Sequence, residues 1–546
     1  MSDIKKRNVR ILVDAGKWQG NFLHNWNYIG YDEINYTHTP EGEEVLEKFM
    51  NFAEKPYYVR AHHLLCTGNC HGFYKWGSTN VYTEDEKGNP VYNWKVIDSI
   101  FDTYLKYNCK PFVEIGFMPQ DLTSYGGGNY FEYRQEGWRY PPKDYQKWYD
   151  LVYNLVRHCI ERYGIEEVKT WYWELWNEPD IEYYWKGSLE DFCKLYDYTE
   201  SAIRSILPDA KVGGPATTGP FMGRRSSEWL DQFLDYCVNG TNYLTGSRGT
   251  RIDFISFHAK GAGYNFDVRY KKQPPSIKRL LGQVQLGLEI IDKYPALKGL
   301  ECILSEVDPD GWAAGGRFDN PNLNFRNTEY YPSYVVTAFT KLTELAEKYN
   351  RELKLLTWAF MFRGERCFEG TRTFVTQGID KPILNLFRMF SFLGDKKLYL
   401  ESSQKKNQLD FTGDCGVSEE SEIYGVATMS GSRSIEIMIY CHHDDWDIKD
   451  EYEVELEVVN VPFDSSKVQL RHYRLDREHS NAYAEWVRQG RPDYPTEGQR
   501  RAIKAREGLE LYEPISEVLL FNKTFRKNIT LPVHSVSLLI LSENKK

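Results

Sequence analysis

The sequence lacks the features that mark several large classes of protein. It has no apolar run long enough to cross a membrane, and no apolar segment follows Met1 as in a signal peptide. Its formal net charge is −10, and it has no long basic run of the kind that binds nucleic acid. Polar low-complexity tracts are also missing, which argues against disorder. We therefore expect a soluble folded chain without a nucleic-acid or membrane partner.

Because the sequence shows no signal peptide, the compartment of the protein stays undefined. As written, the chain carries no targeting signal and would stay in the cytoplasm. A periplasmic, secreted or lysosomal location would follow only if a signal had been trimmed from a longer precursor. The oligomeric state does not follow from the sequence.

Cysteine is present, but without the spacing of a disulfide framework or a zinc site. The ten cysteines are scattered, several of them in apolar stretches, which favours buried thiols. Cys66 and Cys70 lie near His62, His63 and His71, but one Cys-x3-Cys pair without a second pair is a weak zinc signal. We expect neither a metal nor another cofactor.

What the sequence does have is length and aromatic residues. A chain of 546 residues is too long for one ordinary domain and suits a large barrel with a second module. Aromatic residues make up 15% of it. Aromatic rings stack on the C–H faces of sugars, although they also fill hydrophobic cores. This richness is compatible with a carbohydrate-binding protein without requiring one.

From about residue 28 to residue 395, strand-like runs alternate with amphipathic stretches such as Pro142–Tyr163 and Tyr331–Tyr349. Eight such repeats predict an α/β protein with a (β/α)8 barrel, or TIM barrel. A doubly wound open sheet is the alternative, but no Gly-rich phosphate loop follows the first strand. The eight strand candidates begin near Tyr28, Tyr57, Lys110, Thr170, Lys211, Asp253, Cys302 and Leu355.

After Gly394 the pattern changes to short alternating runs separated by turn residues. This pattern predicts a C-terminal antiparallel β-sandwich. An early strand-like run, Val9–Val13, precedes the barrel and could pair with that sandwich. We therefore divide the chain into an N-terminal strand in residues 1–20, a catalytic barrel in residues 21–395 and an accessory sandwich in residues 396–546.

Two glutamates follow predicted strands at the end where a TIM barrel carries its active site. Glu178 comes just after strand four and Glu306 ends strand seven, so the two can converge across the barrel mouth. Cleavage of a glycosidic bond needs one carboxyl group to protonate the leaving oxygen and another to attack or stabilise the anomeric carbon. Glu174 and Asp180 are competing acids, but strand alternation places Glu174 deeper, where a structural role is expected.

Glu178 stands in the run Trp176-Asn-Glu-Pro-Asp180. The amide of Asn177 is suited to hydrogen-bond a sugar 2-hydroxyl while the anomeric carbon reacts. One strand-end glutamate alone is usually an ion-paired surface residue, whereas two at these positions favour catalysis. These residues predict a glycoside hydrolase with Glu178 and Glu306 as its working carboxylates.

With these motifs the chain resembles glycoside hydrolase family 39 over nearly its whole length. The stretches that carry the resemblance are Val59-Arg-Ala-His-His-Leu-Leu65, Lys110–Pro119, Pro141–Trp148, Arg162-Tyr-Gly164, Trp176-Asn-Glu-Pro179, Asp253–His258, Ser305-Glu306 and Glu478–Trp486. The resemblance implies retaining hydrolysis with Glu178 as acid/base and Glu306 as nucleophile. It also implies a first sugar subsite lined by Asn177, Arg60, His62 and His258, and a reaction without metal.

Family 39 is best known for β-xylosidases and α-L-iduronidases, whose substrates share ring stereochemistry and differ by a carboxylate at C5. The runs His258-Ala-Lys260-Gly and Glu306-Val-Asp308 resemble the iduronidase branch, in which this lysine meets the substrate carboxylate. We therefore expect Lys260 and Asp308 on the C5 side of the sugar. Arg372 resembles a second cation for that carboxylate, and Arg363 and Arg366 are its rivals.

Two further positions are assigned by strand direction and by the resemblance. Neighbouring residues on a strand point to opposite sides, so at most one of His62 and His63 faces the pocket. The register of the motif that resembles family 39 selects His62. Trp358, at the end of strand eight, resembles a tryptophan that forms a platform for the sugar, although a core position is the alternative.

Three functions stay open at this point. The first is an exo-glycosidase that releases a terminal xylose-configured sugar with a uronic-acid carboxylate, and the second is a β-xylosidase. The third is a non-catalytic carbohydrate-binding or scaffold protein with an inactive or very narrow site. In each case the expected partner is an oligosaccharide or a glycoside.

Overall fold

The computed structural model describes residues 7–68, 78–127, 136–263, 269–312, 315–370, 372–406 and 420–543. Cys70, His71 and Cys415 lie outside these residues. The eight described cysteines are all buried free thiols. None of the described helices is both long enough and apolar enough to span a membrane.

Eight parallel strands close into a barrel and confirm the predicted fold class. Each begins within two residues of its predicted start. The barrel strands are β1 (Tyr28–Tyr31), β2 (Tyr57–Ala61), β3 (Cys109–Ile115), β4 (Tyr172–Leu175), β5 (Lys211–Thr217), β6 (Phe254–Ala262), β7 (Glu301–Asp310) and β8 (Leu353–Trp358). The barrel helices are α1 (Pro40–Met50), α2 (Lys95–Lys106), α3 (Tyr145–Tyr163), α4 (Leu189–Arg204), α5 (Arg225–Asn239), α6 (Ile277–Asp292), α7 (Tyr330–Lys348) and α8 (Pro382–Phe390).

Local capping residues set where these helices begin. The carboxylate of Asp144 accepts hydrogen bonds from two backbone N–H groups of the first turn of α3, so this helix starts three residues after the predicted Pro142. Ser188 and Asp191 form a reciprocal capping box at the start of α4. These caps satisfy backbone donors that would otherwise be unpaired at the edge of the barrel.

A second, ten-stranded sheet carries the accessory part of the chain. Its strands are Arg7–Asn21, Lys396–Ser402, Glu422–Ser430, Ser434–His442, Glu451–Val459, Lys467–Leu475, Glu510–Leu511, Ser516–Leu519, Phe525–Pro532 and Ser535–Ser542. The N-terminal strand pairs antiparallel with Lys396–Ser402 and parallel with Glu451–Val459. The other described pairs of this sheet are antiparallel, as predicted for the sandwich, and only the N-terminal strand and Glu451–Val459 run parallel. No short turn joins these two strands, so their direction is not fixed by a hairpin.

The accessory part also returns to the barrel. It contains the short helices Ala482–Arg488 and Glu497–Lys504, where the sequence had predicted only sandwich. Tyr483 and Trp486 pack against Phe368 in the loop that follows β8. The family-like stretch Glu478–Trp486 therefore supports a loop of the barrel mouth.

β6 and β7 continue together beyond the closed barrel. Their pairing is regular up to Leu304 opposite Phe257, shifts at Ser305, and resumes with Glu306 opposite His258. An extra residue of this kind bends a strand and redirects the side chains after it. The paired extension places Glu306 above the barrel core, beside the cavity at its mouth.

Candidate active site

A cavity of about 320 Å³ opens at the C-terminal ends of the barrel strands. The ionisable side chains that line it include Asp32, His62, Glu178, Lys260, Glu306 and Arg372. Its position is that of the active site in TIM-barrel enzymes. Five of these six residues were candidates from the sequence, and Asp32 was not.

Glu178 and Glu306 face each other across this cavity. One oxygen of each carboxyl group and one ring nitrogen of His258 all lie within 4.8 Å of one another. Glu178 has φ 44°, a left-handed conformation that is rare for residues other than glycine, and its backbone N–H donates to the carbonyl of Ala216 at 2.9 Å. This bond holds Glu178 in a strained geometry that directs its side chain to the mouth.

Positive groups surround the Glu306 carboxylate. Lys260 Nζ lies 2.8 Å from it, His62 Nε2 lies 3.4 Å from it, and Arg60 Nη1 lies 3.5 Å from it. Burial alone would raise the pKa of Glu306, but Lys260, His258 and His62 outweigh burial and hold this pKa well below its ordinary value. Glu306 is therefore ionised at neutral pH.

Beneath the cavity, Arg60 joins three acceptors. Its side chain is fully buried, and it donates to Glu174 at 2.5 Å and to Asn177 Oδ1 at 2.9 Å. Its Nη2 also forms an ion pair with Glu114 at 2.9 Å. Glu174 thus occupies the deep structural position that strand alternation indicated. The bond from Arg60 also fixes the Asn177 amide, because its oxygen must face the guanidinium.

This orientation leaves the Asn177 nitrogen as a donor. Asn177 is fully buried, and its Nδ2 has no hydrogen-bond partner within the described residues. A buried donor without a partner costs free energy unless a ligand or water satisfies it.

Asp180, the other competing acid, accepts from the backbone N–H of Thr218 at 2.9 Å and from its hydroxyl, which fixes the loop after β5.

The two histidines after β2 diverge. His62 Nδ1 lies 2.6 Å from Glu114. Burial would lower the pKa of His62, but Glu114 and Glu306 raise it to about 10, so the ring is protonated and donates towards Glu306. His63 has φ 71° and turns away to Cys66, with Nδ1 3.3 Å from the sulfur. Only His62 lines the cavity.

On the opposite side of Glu306, Lys260 bridges two carboxylates. Its Nζ lies 2.8 Å from Glu306 Oε2 and 2.8 Å from Asp308 Oδ2. Burial would raise the pKa of Asp308, but Lys260 and Arg326 lower it. The side chain of Gln283 clamps the Lys260 backbone, accepting from its N–H at 3.1 Å and donating to its carbonyl at 2.6 Å. The lysine is thus held in place by both its ends.

Arg372 lines the cavity beside Asp32, with Nη1 3.7 Å from Asp32 Oδ1. Its rivals lie elsewhere: Arg366 pairs with Glu369, and Arg363 has a largely exposed side chain near Glu41. Neither rival is among the residues that line the cavity.

Trp358 differs from the expectation of a sugar platform. Its side chain is fully buried, it does not line the cavity, and its indole N–H donates to Asp32 Oδ1 at 3.0 Å. The ring packs so closely on Gly30 that a Cβ there would lie 2.3 Å from it. The physical reason is that Gly30 leaves room for the indole inside the barrel, where the ring supports Asp32.

Comparison with known proteins assigns the family. The sequence profile of Glycosyl hydrolases family 39 matches residues 9–517. This chain belongs to that family. It is 28% identical to a β-xylosidase of Geobacillus stearothermophilus, over 82% of this chain and 78% of the relative. It is 26% identical to an α-L-iduronidase of Mus musculus, over 78% of this chain and 64% of the relative.

Solved structures of family 39 proteins share the fold. A bacterial orthologue of human α-L-iduronidase aligns with a TM-score of 0.79 at 20% identity, covering 99% of this chain and 84% of that one. A monomeric β-xylosidase from Caulobacter crescentus CB15 aligns with a TM-score of 0.77 at 21% identity, covering 98% and 100%. The likeness extends over both the barrel and the accessory sheet.

Several residues of this family 39 site were missed from the sequence. Glu114 is the last residue but one of β3, and Asp32 directly follows β1. Arg326 donates to Asp310 at 2.7 Å and lies 3.7 Å from Asp308. The signal for the first two is their place at strand ends. Arg326 lies in a 3-10 helix, Pro321–Asn327, and nothing in its local sequence indicates that it reaches Asp308.

Proposed function

We propose that this chain is a retaining exo-glycosidase that releases a terminal xylose-configured sugar, with a preference for one that carries a C5 carboxylate. The observation that carries the proposal is the short distance between Glu178 and Glu306, with one oxygen of each within 4.8 Å. Retaining enzymes hold their carboxyl groups roughly 5–5.5 Å apart, whereas inverting enzymes need roughly 6.5–9.5 Å to admit a water.

In this mechanism Glu306 attacks the anomeric carbon, and Glu178 protonates the oxygen of the leaving group. The bond from sugar to leaving group breaks as the bond from sugar to Glu306 forms. Glu178 then removes a proton from water, which attacks the anomeric carbon and releases Glu306. The low pKa of Glu306 suits the nucleophile, because the carboxylate must be ionised before it attacks.

The residues around Glu306 support this role. His62 and Arg60 stabilise the ionised carboxylate between turnovers, and His258, with Nδ1 2.8 Å from Glu178, positions the acid/base. The unpartnered Nδ2 of Asn177 would donate to the sugar 2-hydroxyl. That hydrogen bond strengthens as charge develops at the anomeric centre.

The uronate preference rests on two cations in the cavity wall, Lys260 and Arg372. A carboxylate at C5 would accept charge-assisted hydrogen bonds from both. Asp308 supports the preference indirectly, because its contact at 2.8 Å holds Lys260 against the cavity.

A β-xylosidase is the second candidate, and one observation favours it. Lys260 already contacts Glu306 and Asp308, and Arg372 already faces Asp32. A neutral sugar would leave these pairs intact, whereas a uronate must compete with the protein's own carboxylates for the same cations. Similarity to a β-xylosidase and to an α-L-iduronidase is compatible with both candidates.

Aryl glycosides of xylose, arabinose, glucuronic acid and iduronic acid test the sugar, and NMR of the first anomer released tests the stereochemistry. We expect iduronide to be cleaved with the highest kcat/KM and with retention of configuration. Release of the inverted anomer would refute the mechanism, and cleavage of xyloside alone would select the second candidate. Glu178→Gln should abolish turnover of each active substrate, whereas the exposed Glu182→Gln is the matched control.

A further inference from the structure

A second cavity lies between the barrel and the accessory part, and it shares no lining residue with the catalytic cavity. Its volume is about 710 Å³, larger than that of the catalytic cavity and within the roughly 300–1,000 Å³ that ligand pockets span. One wall is the segment Pro321–Tyr330, which leads into α7, together with residues in the range 269–272. The other wall comes from residues 446–449 and 477–491 of the accessory part.

Cations outnumber acids around this interdomain cavity. Among the described residues that line it, six are arginine or lysine, whereas three are aspartate or glutamate. Lys272 is paired with Asp445 and Asp447, and Arg488 is paired with Glu478 and Glu485. The remaining cations therefore decide the charge of the wall.

Arg477, Arg491 and Lys449 are three of the four remaining cations, and the lining acid Glu329 offsets part of their charge through its electrostatic interaction with Arg477. Among the residues that the structure describes, none of the three forms an ion pair with an acidic side chain. All three are exposed at the rim, on the accessory side of the cavity. A protein whose net charge is −10 thus carries a local positive surface at this cleft.

The lining also has the groups that bind sugars. The indole of Trp446 lines the cavity, stacked on Phe325 with ring centroids 5.9 Å apart and an angle of 14° between the planes. Amide and hydroxyl groups stand beside it: Asn324 Nδ2 donates to the Tyr483 hydroxyl at 2.9 Å across the two walls. Aromatic rings with neighbouring amides and hydroxyls suit a polyhydroxylated ligand better than an extended peptide.

We propose that this cavity binds an anionic oligosaccharide as a second, non-catalytic carbohydrate site. Arg477, Arg491 and Lys449 would contact the carboxylate or sulfate groups, and Trp446 would contact the sugar ring. The chain segment that lines this cavity also contacts β7. Phe325 lines the interdomain cavity, and the next residue, Arg326, donates to Asp310 at 2.7 Å and lies 3.7 Å from Asp308.

Binding of a galacturonic acid hexamer, measured by isothermal titration calorimetry, tests the proposal. This probe is not xylose-configured, so its binding does not depend on the proposed catalytic specificity. The matched ligand control is the same hexamer with its carboxyl groups reduced to alcohols. The protein variants are Arg477→Ala/Arg491→Ala and, as a control of equal charge change, Arg433→Ala/Arg501→Ala at exposed surface positions.

We expect the acidic hexamer to bind wild type, and affinity to fall about tenfold or more in Arg477→Ala/Arg491→Ala. The control pair should change affinity by less than about twofold, and added salt should weaken binding to wild type. Hydrogen exchange should slow on binding in residues 321–327 and 477–491. Equal affinity of the two double variants, or equal binding of the reduced hexamer, would overturn the proposal. Competition by inorganic sulfate at the same ionic strength would also overturn it, because an anion alone would then suffice.

Discussion

The ammonium group of Lys260 lies 2.8 Å from the buried carboxylate of Asp308. The aspartate side chain has no exposed surface, whereas the lysine retains 12% of its own, on the side of the cavity. Asp308 therefore anchors Lys260 without occupying the cavity itself. A ligand carboxylate would approach the lysine from the side that Asp308 does not cover.

Replacement of Lys260 by alanine should separate the two candidate sugars. We expect kcat/KM for iduronide to fall about 10- to 100-fold more than kcat/KM for xyloside, because only the uronate loses a charge-assisted hydrogen bond. Aryl glycosides of both sugars provide the measurement, with Lys293→Ala at an exposed position as the control. A variant that cleaves iduronide as well as wild type does would exclude this role for Lys260.

His62 gives a prediction about stability and pH. Its folded-state pKa of about 10 lies above the ordinary 6.5. The protonated ring therefore adds its full contribution to the free energy of unfolding below pH 6.5, and this contribution is lost as pH rises through 10. We expect this contribution of His62 to be a few kcal/mol at most, and its loss to make the free energy of unfolding fall between pH 7 and pH 9.5. Denaturant unfolding of wild type and His62→Asn across this range measures it. An equally steep fall in both proteins would show that His62 is not the cause.

Trp358 should act through Asp32 rather than by stacking on sugar. Trp358→Phe keeps an aromatic ring but removes the N–H that donates to Asp32 at 3.0 Å. We expect KM to rise about 5- to 10-fold through the loss of one hydrogen bond to a partly buried carboxylate. Asp32→Asn should raise KM in the same way, and the double variant should add little to either. Additive effects in the double variant would contradict a shared role.

Gly30 tests the packing under the same tryptophan. A Cβ at this position would lie 2.3 Å from the Trp358 ring and 2.7 Å from the Arg60 carbonyl. Gly30→Ala should therefore lower the free energy of unfolding by about 1–3 kcal/mol, through displacement of the ring or the strand. The control is Gly498→Ala, where a Cβ meets no atom within 4 Å. Equal stability of the two variants in denaturant titrations would refute the packing argument.

Much of the fold followed from local sequence. Each barrel strand is a short run of β-branched and aromatic residues, and the helices begin at capping residues such as Ser188, so both kinds of element are encoded within a few neighbours. The parallel pairing of the N-terminal strand was not predictable in this way. It joins segments more than 400 residues apart, and no turn between them fixes the direction.

The residues of the site also differ in how far local sequence predicts them. Glu178 and Glu306 were predictable because they stand at strand ends, whereas His62 was selected over His63 by the register of the family motif. The burial of Trp358 depends on space left by Gly30 on another strand, and Arg326 reaches Asp308 only because the loop after β7 folds back. Such relationships arise from packing between distant segments, which local pattern does not encode.

The central claim is that Glu306 forms a covalent bond with the sugar. Incubation with 2-fluoro aryl glycosides of xylose and iduronic acid, followed by mass spectrometry of proteolytic peptides, tests it directly. We expect one fluoro-sugar to be attached to the peptide that contains Glu306, and loss of labelling in Glu306→Gln. Labelling of another carboxylate, or turnover of the same sugars without any trapped intermediate, would contradict the account.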